Sequence, residues 1–333
     1  MKILLVKLSS LGDIVHTLPV VQDILAAMPD AQIDWVVEKA FAPLLTQIEG
    51  INRIIPCEVR RWRRSFWTAQ TRSEWRAFKV DVQRVSYDAV IDLQGLTKSA
   101  VVARLAKLTA DGKRYAMANQ TEGSGYEAPT RWVADVAIPL EPHLHAVERG
   151  RQLAATALGY KNRASKEVNY GLKLPLANVN RAQAAPENIA NRIVFIHGTS
   201  RLDKTWPQQN WVELGQRLMA SGLRIALVHG STAELATSQA MAAQLPGSTV
   251  LPLLSLSDLT QTLATCQGAI GVDSGVSHIA VALGLPHVQI YNFDTAWRTG
   301  PLDWAYQVSV FAQPAPSVNA VWQAWLQCLD AKT

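Results

Sequence analysis

Apolar residues in this chain fall into short runs, separated by longer stretches in which they recur every three or four positions. In the first half the runs cover residues 3–8, 33–37, 53–56 and 89–93; in the second half, 193–197, 225–229, 269–272 and 288–291. Their length and content of Val and Ile read as strands buried on both faces. The intervening stretches 14–27, 97–107, 147–158, 211–220 and 256–265 carry helical spacing, as Leu256, Leu259 and Leu263 illustrate. Strands that alternate with helices predict an α/β chain with parallel sheets covered by helices on both faces.

The alternation fades between about residues 161 and 191 and restarts with Arg192-Ile193-Val194-Phe195-Ile196-His197. This predicts a Rossmann-like domain over residues 1–170, a linker over 171–190 and a second Rossmann-like domain over 191–333. At roughly 100–200 residues per domain, a chain of 333 residues suits two. The last helical segment, 318–329, has the length to cross back to the first domain. Two doubly wound domains are expected to face a central cleft at the carboxyl ends of their strands, where ligands bind.

Composition narrows the setting. An apolar fraction of 48% supports a sizeable core, and no uncharged apolar run approaches the ~20 residues of a membrane span. The N-terminus is charged at Lys2 and again at Lys7, too soon for a signal peptide, and reads as a first strand. A cytoplasmic protein is the expectation. Cys57, Cys266 and Cys328 match no metal spacing and fit a reducing compartment. The net charge of +5 and pI near 9.1 point to an anionic partner: nucleic acid, phospholipid headgroup or acidic sugar. Eleven tryptophans add surface suited to sugars and interfaces, or to cores.

Four segments carry candidate chemistry. In Lys7-Leu8-Ser9-Ser10-Leu11-Gly12-Asp13-Ile14 a strand ends and Asp13 opens a helix. Asp13 reads either as a helix N-cap or as a general base, and the two are compatible. Lys7 and the helix terminus favour its carboxylate, so the base would be ionised but weak. The segment His197 to Pro207 follows another strand; Gly198 permits close backbone approach, Thr199 and Ser200 offer hydroxyls, and Lys204 a point charge. In Gly271 to Ala280 a strand ends at Asp273 and a turn through Ser274 and Gly275 opens a helix whose N–H groups suit a diphosphate. Asp273 would repel phosphate, so it is expected to fix the turn or to meet a hydroxyl or ammonium group. His278, one turn in, reads by default as structural. Finally Arg60, Arg61, Arg63 and Arg64 lie within five residues, interleaved with Trp62 and followed by Phe66 and Trp67, a pattern for carboxylates, phosphates, sugars or a membrane interface. Lys98 opens a helix after Asp92, and His145 and Arg149 share a helical side.

Absences prune the alternatives. No G-x-G-x-x-G opens the first helix, no G-x-x-x-x-G-K-[ST] exists, no two Asp residues stand one residue apart, and no Cys or His spacing suggests zinc. Phosphate charge is therefore expected to meet Lys204, hydroxyls and a helix terminus, with no cofactor and no metal.

Taken together, KLSSLGDIVHTLP, RRWRR, DLQGLTKSA, HAVER, HGTSRLDKTWP and GVDSGVSH resemble the lipopolysaccharide heptosyltransferases, glycosyltransferase family 9, most of all those that add the first heptose. The motifs run in order across nearly the whole chain. The resemblance implies a GT-B type glycosyltransferase with an acceptor-binding first domain and a nucleotide-sugar-binding second one. It would invert the anomeric carbon without a required metal, moving heptose from ADP-heptose to Kdo2-lipid A. It assigns the base to Asp13, donor contacts to Thr199, Ser200, Lys204, Glu234, Leu254, Asp273, Ser274, Gly275 and His278, and acceptor contacts to Ser10, Arg60, Arg61, Arg63, Arg64 and Lys98. Asp273-Ser274-Gly275 stands where the family often has Asp-Thr-Gly, a change that keeps the hydroxyl. The implied place is the cytoplasmic face of the inner membrane, as a peripheral protein without a nucleic-acid partner. A heptosyltransferase acting further out on the core, and a non-catalytic nucleotide- or anion-binding protein, are the alternatives.

Overall fold

The computed structural model describes residues 1–161, 168–173, 191–302 and 304–332. Residues 174–190 of the expected linker lie outside the described residues. The chain forms two compact units: one runs from Met1 through the helix Ala146–Leu158 and takes in Asn169–Gly171, and the other takes the chain from Leu172 onward.

Each unit is built on one six-stranded parallel sheet. In the first, β1 (Lys2–Val6), β2 (Gln32–Glu38), β3 (Ile51–Cys57), β4 (Ser86–Asp92), β5 (Lys107–Met117) and β6 (Val136–Ile138) lie in the order 3-2-1-4-5-6. In the second, β7 (Arg192–Ile196), β8 (Arg224–Leu227), β9 (Thr249–Val250), β10 (Gly268–Val272), β11 (His287–Tyr291) and β12 (Gln307–Phe311) lie in the order 9-8-7-10-11-12. One topology is thus used twice. The winding reverses between β1 and β4 and again between β7 and β10. A crevice opens at such a point beyond the carboxyl ends of the strands.

Central position explains why the strands read as continuous apolar runs. Ile3, Leu4, Leu5 and Val6 of β1, paired with both β2 and β4, are fully buried, as are Ile193, Val194 and Phe195 of β7 between β8 and β10. The pattern misses β5, β6, β9 and β12. β5 carries Lys107, Asp111, Lys113 and Arg114, and its register with β4 shifts between Tyr87 and Ala89. Gly112 sits at that irregularity, where a Cβ would come within 2.5 Å of the Tyr87 carbonyl oxygen. The expected helices exist, and three of them begin earlier than their apolar periodicity, at Leu11, Ala146 and Gln208.

In the first core, Leu4, Val36, Ile55 and Val90 of the sheet meet Trp62, Phe78 and Val82. In the second, Phe195, Ile270 and Val288 meet Trp211, Leu218, Val321 and Trp325. Full burial of each such side chain stabilises the fold by about 1.5–3 kcal/mol relative to exposure. The last helix, Val318–Asp330, packs on β11 and β12 and on the helix Gln208–Ala220, so its apolar face is used within the second unit. Among the described residues no helix is long and apolar enough to cross a membrane.

Candidate active site

The turn from β1 into the helix Leu11–Ala27 lies at the reversal point of the first sheet. Its N-cap is Ser10, which corrects the reading of Asp13 as the cap: Asp13 stands three positions further in. The Ser10 backbone N–H donates to Asp13 Oδ2 at 3.0 Å, and the Ser10 hydroxyl donates to the same oxygen at 2.9 Å. This is the returning arm of a capping box. The other oxygen, Oδ1, lies 4.0 Å from Lys7 Nζ and 3.9 Å from an Arg149 nitrogen. Those distances exceed hydrogen-bond length, so both cations act on Oδ1 through space. The Asp13 side chain is 37% exposed. Its partial burial raises the carboxyl pKa, but Lys7, the Ser10 bonds and Arg149 outweigh that and hold it below the ordinary carboxylate value.

Lys7 is buried and donates to the Leu93 carbonyl at 3.0 Å. Burial pushes its ammonium down to about 8, although Asp13 works the other way. Asp92, at the end of β4, accepts from the N–H groups of Gln94 at 2.9 Å and Gly95 at 3.1 Å and from the Ser99 hydroxyl at 2.9 Å. It fixes the turn into the helix Thr97–Leu105, and burial raises its carboxyl to about 6.

Ser9 connects this cluster to the arginine segment. Its hydroxyl oxygen accepts from Lys98 Nζ at 2.7 Å and from Arg60 at 3.1 Å, while the Arg60 backbone N–H donates to buried Glu38 at 3.2 Å. Four cations (Lys7, Arg60, Lys98, Arg149) therefore stand among three carboxylates (Asp13, Glu38, Asp92), an excess suited to an anionic ligand. The four arginines do not act alike. Arg61 turns to Glu58, at 2.8 Å, and to Glu74, which also accepts the Trp62 indole N–H at 2.8 Å. It ties the helix Val59–Ser65 to the helix Ala69–Val82 and does not join Arg60 at Ser9. Arg63 and Arg64 lie on the exposed last turn. Ser10, expected at the acceptor, is bonded to Asp13.

In the second unit the equivalent reversal point brings together the loops after β7 and β10. The Thr199 hydroxyl donates to the Asp273 backbone carbonyl at 3.2 Å. The Asp273 carboxylate meets Lys204 Nζ through Oδ2 and His278 Nε2 at 3.3 Å through Oδ1. Burial raises the Asp273 carboxyl, but His278 and Lys204 outweigh it and hold the group well below the usual carboxylate range. Ser274 caps the helix Gly275–Ala282 by accepting from the Ser277 N–H. Glu234, in the first turn of the helix Thr232–Ala242, accepts from the Gly230 N–H at 2.6 Å. A Cβ on Gly198 would lie 2.5 Å from the Glu234 carboxyl carbon, so only glycine lets that carboxylate lie across the backbone after β7. Ser200 is exposed beside Thr199, and Leu254 is half-buried in the loop after β9.

Ser9 and Glu38 escape the sequence reading, and Arg149 appears in it without its partner. For Ser9 a signal exists, the doubled serine at a strand end. For Glu38 and Arg149 there is none, because each meets a partner distant in sequence: Glu38 the helix after the neighbouring strand, Arg149 the helix Leu11–Ala27 packed against its own.

Two doubly wound parallel units, with a held carboxylate at one reversal point and a glycine, hydroxyl and lysine set at the other, define the nucleotide-binding type of α/β protein. A family model described as glycosyltransferase family 9 (heptosyltransferase) matches residues 75–321. The chain belongs to that family and is an enzyme of it. It is 39% identical over 307 residues to lipopolysaccharide heptosyltransferase 1 of Pseudomonas aeruginosa, covering 90% of this chain and 81% of the relative. Among solved structures it is similar to E. coli heptosyltransferase WaaC with ADP, with a TM-score of 0.85, 33% identity, and coverage of 97% of this chain and 98% of the other. The same E. coli enzyme with ADP-2-deoxy-2-fluoro heptose matches with a TM-score of 0.81, the same identity and the same coverage.

Proposed function

We propose that this chain transfers L-glycero-D-manno-heptose from ADP-heptose to the first Kdo of Kdo2-lipid A, inverting the anomeric carbon. One observation carries the reading: a carboxylate anchored on one oxygen by its own helix start, with its other oxygen turned to a group of cations at a ligand-binding point of the fold. The relatives' names, lipopolysaccharide heptosyltransferase 1, and the ADP and ADP-2-deoxy-2-fluoro heptose in the similar structures support it.

In this reading the first unit binds acceptor and the second binds donor, the GT-B division of labour. Asp13 takes the proton of a Kdo hydroxyl as that oxygen attacks the heptose anomeric carbon and the bond to ADP breaks. A base held at low pKa is weak, and it suits a displacement in which the sugar carries oxocarbenium character before the proton leaves. The departing diphosphate is met by Lys204, Thr199, Ser200 and the helix N-terminus at Gly275, with Asp273, Ser274 and His278 fixing that turn. Glu234 takes the ribose hydroxyls and Leu254 lines the base. Arg60 and Lys98, with Arg63 and Arg64, meet Kdo carboxylates and lipid A phosphates. The enzyme then works at the cytoplasmic face of the inner membrane, held there peripherally by the arginine segment and by Phe66 and Trp67, which are 50% and 86% exposed.

The test is direct. Pure enzyme is incubated with ADP-heptose and Kdo2-lipid A, and the lipid is weighed by mass spectrometry. A gain of one heptose is expected; an unchanged acceptor, with transfer only to an acceptor that already carries heptose, would move the enzyme further out on the core.

A further inference from the structure

Along the carboxyl edge of the second sheet the strands run in the order 9-8-7-10-11-12, with neighbours about 4.8 Å apart. In the proposed reading the parts of the donor follow that order. Leu254, for the base, stands in the loop after β9, and Glu234, for the ribose, stands after β8. Thr199, Ser200 and Lys204, for the diphosphate, follow β7, and Gly275 follows β10. A nucleotide sugar is connected in the same sequence: base, ribose, diphosphate, sugar. The group beyond the diphosphate therefore falls one strand further on, at the loop after β11.

That loop, residues 292–300, is tied at both ends to the two loops that carry the diphosphate set. At its start, Asn292 Nδ2 donates to the backbone carbonyls of Asp203 at 3.3 Å and Thr205 at 2.8 Å. At its end, the Thr299 hydroxyl is shared between the Thr295 carbonyl at 3.4 Å and Asp273 Oδ1 at 3.5 Å. Behind it, Gln289 Nε2 donates to the Tyr291 hydroxyl at 2.9 Å, which leaves the proton of that hydroxyl for Thr299 Oγ1 at 3.2 Å. A Cβ on Gly300 would come within 2.6 Å of the Ala296 carbonyl oxygen and 2.7 Å of Ser309 Oγ, so the loop closes tightly on its own short helix, Ala296–Thr299.

Between these ties Phe293 is left 37% exposed. The guanidinium of Arg201, which follows Thr199 and Ser200 after β7 and is paired with Asp203, stands 5.8 Å from the Phe293 ring centroid. A rigidly mounted loop thus holds a partly bare aromatic ring beside the diphosphate loop, on its β11 side. A flat apolar ring face matches the C–H face of a sugar, and packing the two together removes apolar area from water.

We propose that the loop after β11 is the donor-sugar subsite and that the Phe293 ring is the surface on which the heptose packs. The proposal rests on the donor reading above and deepens it, adding a residue that reads the sugar and leaves the nucleotide alone.

Pure enzyme without acceptor is titrated by calorimetry with ADP and, separately, with ADP-heptose. Phe293→Ala is expected to weaken ADP-heptose about fivefold, the size of one lost aromatic contact, and to hold ADP within about twofold. Phe293→Tyr keeps the ring and should bind both ligands as the unaltered enzyme does. Equal weakening of ADP and ADP-heptose by Phe293→Ala would make the ring a structural part of the loop and overturn the subsite; so would an unchanged affinity for both. Heptose transfer to Kdo2-lipid A by the unaltered enzyme, followed in parallel, separates the two ideas. Transfer without a selective loss in Phe293→Ala sinks only the subsite. A selective loss without transfer supports the subsite and sinks the acceptor assignment, and an unaltered enzyme that binds neither ligand sinks the donor reading and the subsite together.

Discussion

The first unit and the second share a strand order, yet the acids at their reversal points are held in opposite ways. Asp13 is fixed by a neutral serine on one oxygen, and its cations stand off at 3.9–4.0 Å from the other. Asp273 directly touches Lys204 and His278, one on each oxygen, and is buried. An acid whose open oxygen feels cations at a distance can still receive a proton; an acid clamped on both sides organises the groups around it. Topology therefore supplies the place, and in the proposed reading the local hydrogen bonds decide whether a carboxylate there reacts or supports.

The largest effect expected from this contrast is at Asp13. Asp13→Asn should retain the Ser10 geometry and lower kcat by about 10²–10⁴-fold with ADP affinity unchanged, as single-turnover kinetics and calorimetry will report. A variant with full activity would remove the distinction between the two acids. Next comes the cation cluster of the first unit. Arg60→Ser combined with Lys98→Ser should weaken acceptor binding by roughly a hundredfold, given two charged hydrogen bonds, while ADP binding holds. Arg61→Ala is the contrast within the same segment, and its acceptor affinity should stay within about twofold, because its partners are Glu58 and Glu74. Equal losses in both variants would mean that the four arginines act as one patch.

In the second unit, Lys204→Met should raise the Kd for ADP by roughly tenfold and leave acceptor binding alone, because it deletes the one charged hydrogen bond that the proposed reading gives the diphosphate. Unaltered ADP binding would leave Lys204 as a partner of Asp273 only. The smallest effect is a change of pH dependence. A base acts when deprotonated, and the folded protein holds Asp13 below the ordinary carboxylate value. The acid limb of kcat/KM should accordingly lie low. Lys7→Met removes the largest of the forces that depress it, so the limb should move to higher pH. A limb that stays in place would show that the Ser10 bonds alone set the base.

Much of this was legible in the sequence, for identifiable reasons. β1 and β7 read clearly because central strands of a parallel sheet are apolar on both faces. The turns at Asp13, His197 and Asp273 read as sites because glycine, hydroxyl and charge cluster where strands end. β5 did not read, since charged residues and a register shift break its pattern, and the helices Val59–Ser65 and Ala69–Val82 did not, since charge interrupts their apolar spacing.

The sequence by itself determined the fold class, the family resemblance and the short motifs, all of which depend on residues near one another along the chain. Only the tertiary structure decided which charge meets which. Arg149 comes beside Asp13, Arg60 and Lys98 share one serine hydroxyl, Lys204 settles on Asp273, and Arg61 leaves the group its neighbours form. The physical reason is that electrostatic partnership falls off over a few ångströms in space, and a parallel fold sets those distances through crossover connections that local pattern does not encode.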